Sequence, residues 1–251
     1  MSSFQNKHFV IFGGSSGIGR GAAIKLSELG ASLSIVGRNQ EHIDSTFDLL
    51  QTDITSLQKH KKINFDLSNL DLLTSLVSSF DSIDGIVYAA GIIHIKPIQY
   101  IEIDEFLELQ KINSVAVLFI IKECLLQKKI KKNSSIILIG SISGTRIGYK
   151  GSVSYSFSKG ALSGMLKSLA LELAKYKIRI NSILPAMVRN TNLGISETFS
   201  ENQLREDKNR YPMGDYLEVD DVTGSIIYLL SDSSKMVTGS ELVIDGGYTL
   251  N

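Results

Sequence analysis

Short apolar runs rich in β-branched residues alternate with amphipathic stretches along almost the whole chain. This alternation is typical of successive βα units, in which helices connect parallel strands and cover the sheet. The runs predict seven strands, near Phe9–Phe12, Leu33–Val36, Lys62–Phe65, Gly85–Ala89, Ile136–Ile139, Ile178–Ile183 and Glu241–Ile244. No linker interrupts the pattern, so we expect a single α/β domain over residues 1–251.

One segment departs from this alternation. Residues 189–214 are polar and have no strong period. A long irregular segment in a compact domain is often a lid or a binding loop, and a mobile surface insertion is the alternative. We expect this segment to close over bound ligands, with Gly194 and Gly214 as hinges.

Composition and charge exclude several classes of partner. The 26 Lys and Arg residues balance the 26 Asp and Glu residues, which argues against binding to nucleic acid. The longest apolar run, Val115–Ile121, is too short to span a membrane, and no secretory signal is visible. The only cysteine is Cys124, so we expect a reducing, cytoplasmic location. The four histidines show no metal-ligand spacing, and we expect no metal site.

A glycine-rich turn follows the first predicted strand and opens a helical stretch. Glycines let the backbone approach a pyrophosphate closely, and a helix N-terminus supplies free N–H groups and positive potential. The turn therefore predicts a phosphate-binding loop formed by Gly13, Ser15, Ser16, Gly17, Ile18 and Gly19. A glycine cluster can also serve only to make a tight bend, so its position in a βαβ unit carries the prediction.

Tyr155 and Lys159 begin a helical stretch that runs to about Lys175. Their spacing puts both side chains on one helix face, one turn apart. A free phenol has a pKa of about 10, and a nearby ammonium favours its ionised form. The pair is a candidate acid/base. Because this spacing also arises by chance, the alternative is that both residues simply lie on a solvated helix face.

The order of the motifs along the chain is more specific than any one of them. In sequence come the glycine loop, Asp66 after the third strand, Ala90-Gly91 after the fourth, Asn113, Ser141 after the fifth, Tyr155, Lys159, and the closing Val237-Thr238-Gly239 and Val243-Ile244-Asp245-Gly246-Gly247. Over its full length the chain resembles the short-chain dehydrogenase/reductase family, with the 3-oxoacyl reductases as near relatives. The resemblance implies a Rossmann-like, doubly wound parallel sheet in the order 3-2-1-4-5-6-7, flanked by helices.

The resemblance also implies roles for the site residues. Tyr155 would be the general acid/base, and Ser141 would orient the substrate oxygen. Lys159 would hold the nicotinamide ribose and lower the pKa of the phenol, and Asn113 would support a water that connects Lys159 to solvent. Ser141 precedes Tyr155 by fourteen positions, one more than is commonest in the family, so Ser143 is a rival. The alternatives to these roles are that Ser141 serves only as a turn residue and that Asn113 serves only to kink its helix.

The cofactor implied by the resemblance is a nicotinamide dinucleotide. Further contacts to it would come from Arg38, Asp66, Leu67, Ala89, Ala90, Gly91, Tyr155, Lys159 and Val188. Family members that prefer NAD tend to carry an acidic residue at the end of the second strand, where this chain has Gly37 followed by Arg38. Because a guanidinium suits a ribose phosphate, we predict NADP(H) in preference to NAD(H).

The chain departs from the family pattern beside this site. Phe12 stands where a threonine usually precedes the glycine loop, and Tyr88-Ala89-Ala90-Gly91 replaces Asn-Asn-Ala-Gly. The usual polar residues are thought to tie strands one and four together. Because Phe12 and Ala89 replace these polar residues, we expect an apolar contact between the two strands in place of the polar one, with an effect on stability more than on chemistry.

These features predict an oxidoreductase that moves hydride between nicotinamide and a carbonyl or secondary alcohol. Candidate substrates are small ketones, sugar-like compounds and acyl thioesters; Ser168–Glu172 lacks the arginine that docks carrier proteins in related enzymes. A cofactor-binding sensor without turnover is the alternative, and an epimerase or dehydratase is disfavoured because no substrate domain is present. Apolar residues around Ile103–Gln127 and Val153–Lys175 exceed one helix stripe and predict a homotetramer or homodimer.

Overall fold

Seven parallel strands form one sheet in the computed structural model, which describes residues 4–51, 58–191 and 201–250. The strands are β1 (His8–Phe12), β2 (Ser32–Gly37), β3 (His60–Asn64), β4 (Ile83–Tyr88), β5 (Ile130–Ile139), β6 (Arg179–Pro185) and β7 (Glu241–Ile244). Their order is β3-β2-β1-β4-β5-β6-β7, which confirms the predicted doubly wound sheet. The order reverses between β1 and β4, and ligands of such sheets bind in the crevice that opens there.

Helices cover both faces of the sheet. They are α1 (Gly17–Glu28), α2 (Gln40–Phe47), α3 (Leu73–Ser78), α4 (Ile103–Gln110), α5 (Ala116–Leu126), α6 (Val153–Ala174), α7 (Glu201–Lys208) and α8 (Val219–Leu230). A single π-helical turn, Lys111–Val115, joins α4 to α5. Side chains of α1, α2 and α8 pack on one face, and those of α3, α5 and α6 pack on the other.

The side chains of the central strands are buried on both faces of the sheet. Neighbouring residues of one strand, such as Val10 and Ile11, are fully buried but belong to opposite core clusters. Side chains alternate across a sheet, so a strand covered on both sides is apolar without interruption. This is why short continuous apolar runs predict the strands.

Two parts of the fold differ from the expectation. Strand β5 begins at Ile130 rather than Ile136. The apolar pattern did not indicate the first residues of this strand, because they are mostly polar and lie partly in solvent. The segment 189–214, expected to be irregular, contains helix α7. Residues 192–200, with the predicted hinge Gly194, lie outside the described residues. Helix α7 is rich in Glu, Gln, Lys and Arg, whose intrinsic preference forms a helix without an apolar stripe.

Across the described ranges, no helix combines the length and apolar character that a membrane crossing needs.

Candidate active site

A cavity of about 950 Å³ opens at the carboxyl ends of the central strands. It extends from Arg38, after β2, past the turns that follow β1, β4 and β5, to Tyr248 near the end of the chain. Its position at the reversal of strand order is where the fold leaves a crevice.

The glycine-rich turn after β1 forms one wall of this cavity. Gly13 has φ +74°, and a Cβ atom there would approach the Ala90 amide nitrogen to 2.6 Å. Only glycine therefore lets the turn lie this close to the end of β4. Ser16 precedes α1 without making a side-chain capping bond, which leaves the first N–H groups of the helix for a ligand.

Gly19, predicted as a cofactor contact, instead supports the turn from behind. It is buried in the first turn of α1 and does not line the cavity. A Cβ atom on Gly19 would overlap the carbonyl oxygen of Gly13. Its missing side chain thus lets α1 pack against the turn, and the other predicted loop residues face the cavity.

The end of β2 is closed to a large side chain. A Cβ atom on Gly37 would lie 3.0 Å from Ser15 Oγ and 3.2 Å from Ile43 Cγ1. A side chain at this position would therefore require Ser15 or Ile43 to shift by a few tenths of an ångström. The exposed Arg38 follows and lines the cavity, together with His42 of α2, which the sequence motifs did not indicate.

Tyr155 and Ser141 meet in the middle of the cavity. Ser141 follows β5, and Tyr155 lies in the first turn of α6; both are buried. Gly144, with φ +80°, lets the chain after Ser141 contact the Ser156 carbonyl, which holds the loop against α6. Burial raises the pKa of Tyr155 well above its ordinary value; the phenol of Tyr149 raises it further, and a hydrogen bond with Ser141 lowers it.

Ser141 and Ser143 both line the cavity but have different partners. The Ser141 hydroxyl interacts with Tyr155 and accepts a hydrogen bond from the Ser143 amide at 3.1 Å. The Ser143 hydroxyl pairs with Ser156 Oγ at 3.0 Å and with the Tyr149 phenol. This geometry favours Ser141 as the partner of Tyr155.

Lys159 lies one helical turn beyond Tyr155, and its side chain is buried. The ammonium donates to the Ile139 carbonyl at 2.9 Å and lies 5.7 Å from the centroid of the Tyr155 ring. Burial lowers the pKa of Lys159 to about 8. The side chain is therefore mostly charged at neutral pH, close to the face of the phenol.

Asn113 does not line the cavity, because it is completely buried in the π turn behind it. Its amide accepts from the Ile92 N–H at 2.8 Å and donates to the Ile92 carbonyl and to Ser158 Oγ, both at 2.9 Å. A Cβ atom on Gly91 would lie 3.4 Å from Asn113 Oδ1 and 3.5 Å from Lys159 Nζ. Asn113 thus joins the loop after β4 to α6 beside Lys159.

The structure brings nearly all the predicted site residues together. Those that line the cavity are Gly13, Ser15, Ser16, Gly17, Ile18, Arg38, Asp66, Leu67, Ala89, Ala90, Gly91, Ser141, Tyr155, Lys159 and Val188. Gly19 and Asn113 lie directly behind it. The cavity residues that the motifs did not predict include Asn39, His42, Ile112, Tyr149, Asp207, Arg210, Tyr211 and Tyr248.

The far end of the cavity is built from the region around α7 and from the last turn of the chain. The Tyr248 hydroxyl donates to Asp207 at 2.9 Å, and the Arg210 guanidinium lies 4.3 Å from the Tyr248 ring centroid. Tyr211 packs on Tyr248 with ring centroids 4.8 Å apart. This wall offers polar and aromatic groups to a substrate.

Among the residues described, no group of three or more His, Cys, Asp or Glu side chains is arranged to hold a metal ion.

The fold and the cavity define a class of Rossmann-like dehydrogenases, and comparisons with known proteins identify the family. Residues 13–249 match the family model described as enoyl-(acyl carrier protein) reductase. The chain is 30% identical to an L-rhamnose 1-dehydrogenase (NADP(+)) of Thermoplasma acidophilum, over 100% of this chain and 99% of that protein. It is 29% identical to carbonyl reductase [NADPH] 2 of Sus scrofa, over 98% of each chain.

A solved structure, a short-chain type dehydrogenase/reductase from Mycobacterium ulcerans, superposes with a TM-score of 0.89 at 27% identity and covers 99% of this chain and 92% of that one. This chain belongs to the short-chain dehydrogenase/reductase family. The prediction of an NAD(P)-dependent oxidoreductase of that family is confirmed.

Proposed function

We propose that this protein is an NADP(H)-dependent reductase or dehydrogenase of a carbonyl/secondary alcohol pair, with Tyr155 as the group that moves the proton. The observation that carries the proposal is the juxtaposition of Tyr155 with Ser141 in a cavity that also holds the buried Lys159. Reduction of a carbonyl builds negative charge on its oxygen, and that oxygen needs donors and a proton. The two hydroxyls and the ammonium are suited to this task.

The residues of the cavity fit a dinucleotide. The glycine cradle at Gly13 and the uncapped start of α1 suit a pyrophosphate, and Arg38 suits a phosphate on the adenosine ribose. When bound, the nicotinamide supplies or accepts the hydride. The names of the Thermoplasma acidophilum and Sus scrofa relatives specify NADP(+) and NADPH, which supports the phosphorylated cofactor.

In carbonyl reduction the Ser141 hydroxyl would donate a hydrogen bond to the substrate oxygen, and the Tyr155 hydroxyl would transfer its proton to the same atom. The charged Lys159 would stabilise the phenolate that remains and, with the cofactor in the cavity, would bind the nicotinamide ribose. Asn113 would hold the loop after β4 against α6 and support a water beside Lys159. These roles follow the family resemblance and agree with the contacts of each side chain.

The protonation state of Tyr155 makes the two directions respond differently to pH. Burial raises the pKa of this phenol, so it carries its proton through the neutral range, which is the form that reduction requires. Alcohol oxidation needs the phenolate. We therefore expect oxidation to accelerate as pH rises and reduction to slow.

The substrate class can be tested with purified protein. Both reduced cofactors are offered with simple ketones, keto-sugars, 3-oxoacyl thioesters and 2-enoyl thioesters, and nicotinamide absorbance is followed. We expect turnover of a carbonyl compound with NADPH. Reduction of the enoyl thioester alone would contradict the carbonyl assignment. Tight NADPH binding without turnover of any compound would favour a sensor.

We propose that residues 189–214 close over the bound cofactor and substrate and exclude water. Within this segment α7 contributes Asp207 to the cavity wall, and Arg189 pairs with Asp215 and Glu218. Amide hydrogen exchange should slow throughout the segment when cofactor and substrate are both present. Equal exchange in the free and bound protein would contradict a lid.

We propose assembly into a homotetramer or homodimer. Helices α4 to α6 carry exposed apolar side chains, among them Leu107, Leu118, Phe119, Val153 and Phe157. Such a patch on several adjacent helices is typical of a subunit interface. Light scattering should give a mass of at least twice 27.5 kDa, and a mass near 27.5 kDa at micromolar concentration would contradict the proposal.

A cytoplasmic location is proposed from cysteine usage. Cys124 is the only cysteine, and it is buried in α5, where burial raises the pKa of its thiol to about 12. Because a single cysteine cannot form a disulfide within the chain, the cysteine usage suits a reducing compartment. Fractionation of cells that express the tagged chain tests this location, and recovery outside the cytoplasm would contradict it.

A further inference from the structure

The two departures from the family pattern meet each other in the core. Phe12 of β1 and Tyr88 of β4 are partners in the sheet register, and their ring centroids lie 5.6 Å apart. Both side chains are completely buried. The apolar contact expected between β1 and β4 therefore involves Tyr88 rather than Ala89, which packs toward the opposite core cluster.

The hydroxyl of Tyr88 has a specific partner in this apolar environment. It donates a hydrogen bond to the Ile112 carbonyl oxygen at 2.5 Å. A buried hydroxyl without a partner is costly, so the phenol and the carbonyl hold each other in position. Burial raises the pKa of Tyr88 and keeps its proton in place as the donor.

Ile112 belongs to the π turn between α4 and α5. Single π turns within α-helices are rare and are frequent at functional sites. Ile112 lines the cavity, and the next residue is Asn113. The bond from Tyr88 thus anchors the backbone of the π turn, which carries the proposed active-site residue Asn113.

The π turn is held from a second point on the same chain segment. Four residues after Tyr88, Ile92 binds the Asn113 amide through both its N–H and its carbonyl. Asn113 also binds Ser158, which directly precedes Lys159. Two hydrogen bonds, joined by the peptide bond between Ile112 and Asn113, therefore connect Tyr88 at the end of β4 to the turn of α6 that carries Lys159.

We infer that Tyr88 is a positioning residue of the active site, which acts through Ile112 to hold the π turn and the Asn113 amide beside Lys159. This inference rests on the proposed function of Asn113 and Lys159. It changes the expectation from the sequence, because the departure at Tyr88 would affect turnover as well as stability. Tyr88 itself does not line the cavity and would touch neither cofactor nor substrate.

The test is a double-mutant cycle of Tyr88→Phe and Asn113→Ala, with kcat and the NADPH dissociation constant measured for each variant. Tyr88→Phe keeps the ring against Phe12 and removes only the hydroxyl. We expect kcat to fall roughly tenfold, because the π turn loses one of its anchors and Asn113 is held less exactly beside Lys159, with NADPH affinity unchanged. In the Asn113→Ala background, Tyr88→Phe should have almost no further effect on kcat, because both act on one turn.

Phe80→Leu is the matched control. Phe80 packs on Phe12 with ring centroids 6.1 Å apart, in the same core cluster, so its truncation should lower stability and leave kcat unchanged. Wild-type kcat in Tyr88→Phe, fully additive losses in the double variant, or an equal loss in Phe80→Leu would overturn the inference.

Hydrogen exchange gives a readout that does not depend on turnover. Amides of the π turn should exchange roughly tenfold faster in Tyr88→Phe than in the wild type, and unchanged exchange there would overturn the inference even if no substrate is found. Turnover of Tyr155→Phe, measured alongside, reports separately on the proposed function. Loss of activity in Tyr155→Phe together with a silent Tyr88→Phe would leave that function intact and reject the role of Tyr88.

Discussion

Replacing Arg38 with alanine should abolish the preference for the phosphorylated cofactor and leave the fold unchanged. Arg38 is exposed at the rim of the cavity directly after β2, so its side chain contributes little to the core. A charge-assisted hydrogen bond to a phosphate contributes about 1.5–3 kcal/mol, which corresponds to about a 10- to 150-fold weaker binding of NADPH in Arg38→Ala. NADH lacks that phosphate, and its affinity should change by less than about twofold.

Gly37 gives a second perturbation at the same point. Gly37→Asp introduces the acidic residue that NAD-preferring relatives use, but its Cβ would lie 3.0 Å from Ser15 Oγ. We expect this variant to weaken both cofactors rather than to switch the preference. Removal of the Ser15 side chain as well would relieve the nearest contact with the new carboxylate and should recover binding of NADH.

The assay is a fluorescence titration of each variant with NADPH and with NADH. Arg38→Lys is the control, because it keeps the charge but loses the planar, bidentate guanidinium, and it should fall between the wild type and Arg38→Ala. Tighter binding of NADH than of NADPH to the wild type, with both affinities unchanged in Arg38→Ala, would refute the reasoning.

Three further perturbations follow from other parts of the structure. Ser141→Ala should lower kcat more than Ser143→Ala does, because only the first serine bonds the proposed acid; equal losses in steady-state assays would contradict this. Gly13→Ala should prevent cofactor binding in the titration, since its Cβ would lie 2.6 Å from the Ala90 nitrogen. Although burial opposes it, hydrogen bonds from two lysines and a backbone amide lower the pKa of Asp84. Asp84→Asn should therefore lower the free energy of unfolding by about 1 kcal/mol at neutral pH. The difference in urea unfolding should begin to shrink as the pH falls to about 4, the ordinary value of the carboxyl, and should vanish only below the lowered pKa of folded Asp84; a constant difference would contradict this.

Most of the fold could be predicted from the sequence because the sheet is covered on both sides. The last strand has the predicted bounds, Glu241–Ile244, since its apolar run is short and is bounded by polar residues. The start of β5 could not be predicted, because its first residues are polar. Helix α7 was not predicted because it has no apolar stripe, although its composition favours a helix. Hydrophobic period carries no information where an element does not face the core.

The candidate site could be predicted where its residues belong to ordered motifs: Ser141 follows a strand, and Tyr155 and Lys159 are spaced one turn apart on a helix. The segment 189–214, which includes Asp207, was predicted to cover the site, but its contact with Tyr248 could not be predicted, because tertiary packing alone brings these two residues together. The hydrogen bond from Tyr88 to Ile112 likewise could not be predicted from the sequence. A π turn has no recognised sequence signature, and the sequence pattern indicated a stability effect only.

The most direct test of the central claim is the turnover of Tyr155→Phe on a confirmed carbonyl substrate, measured together with its NADPH dissociation constant. The variant removes one buried hydroxyl from the centre of the cavity and keeps the ring beside Lys159. General acid catalysis contributes about 10²–10⁴-fold, so kcat should fall by about that factor while NADPH affinity changes by less than about twofold. Turnover near that of the wild type would show that Tyr155 does not supply the proton, even though the fold is that of the family.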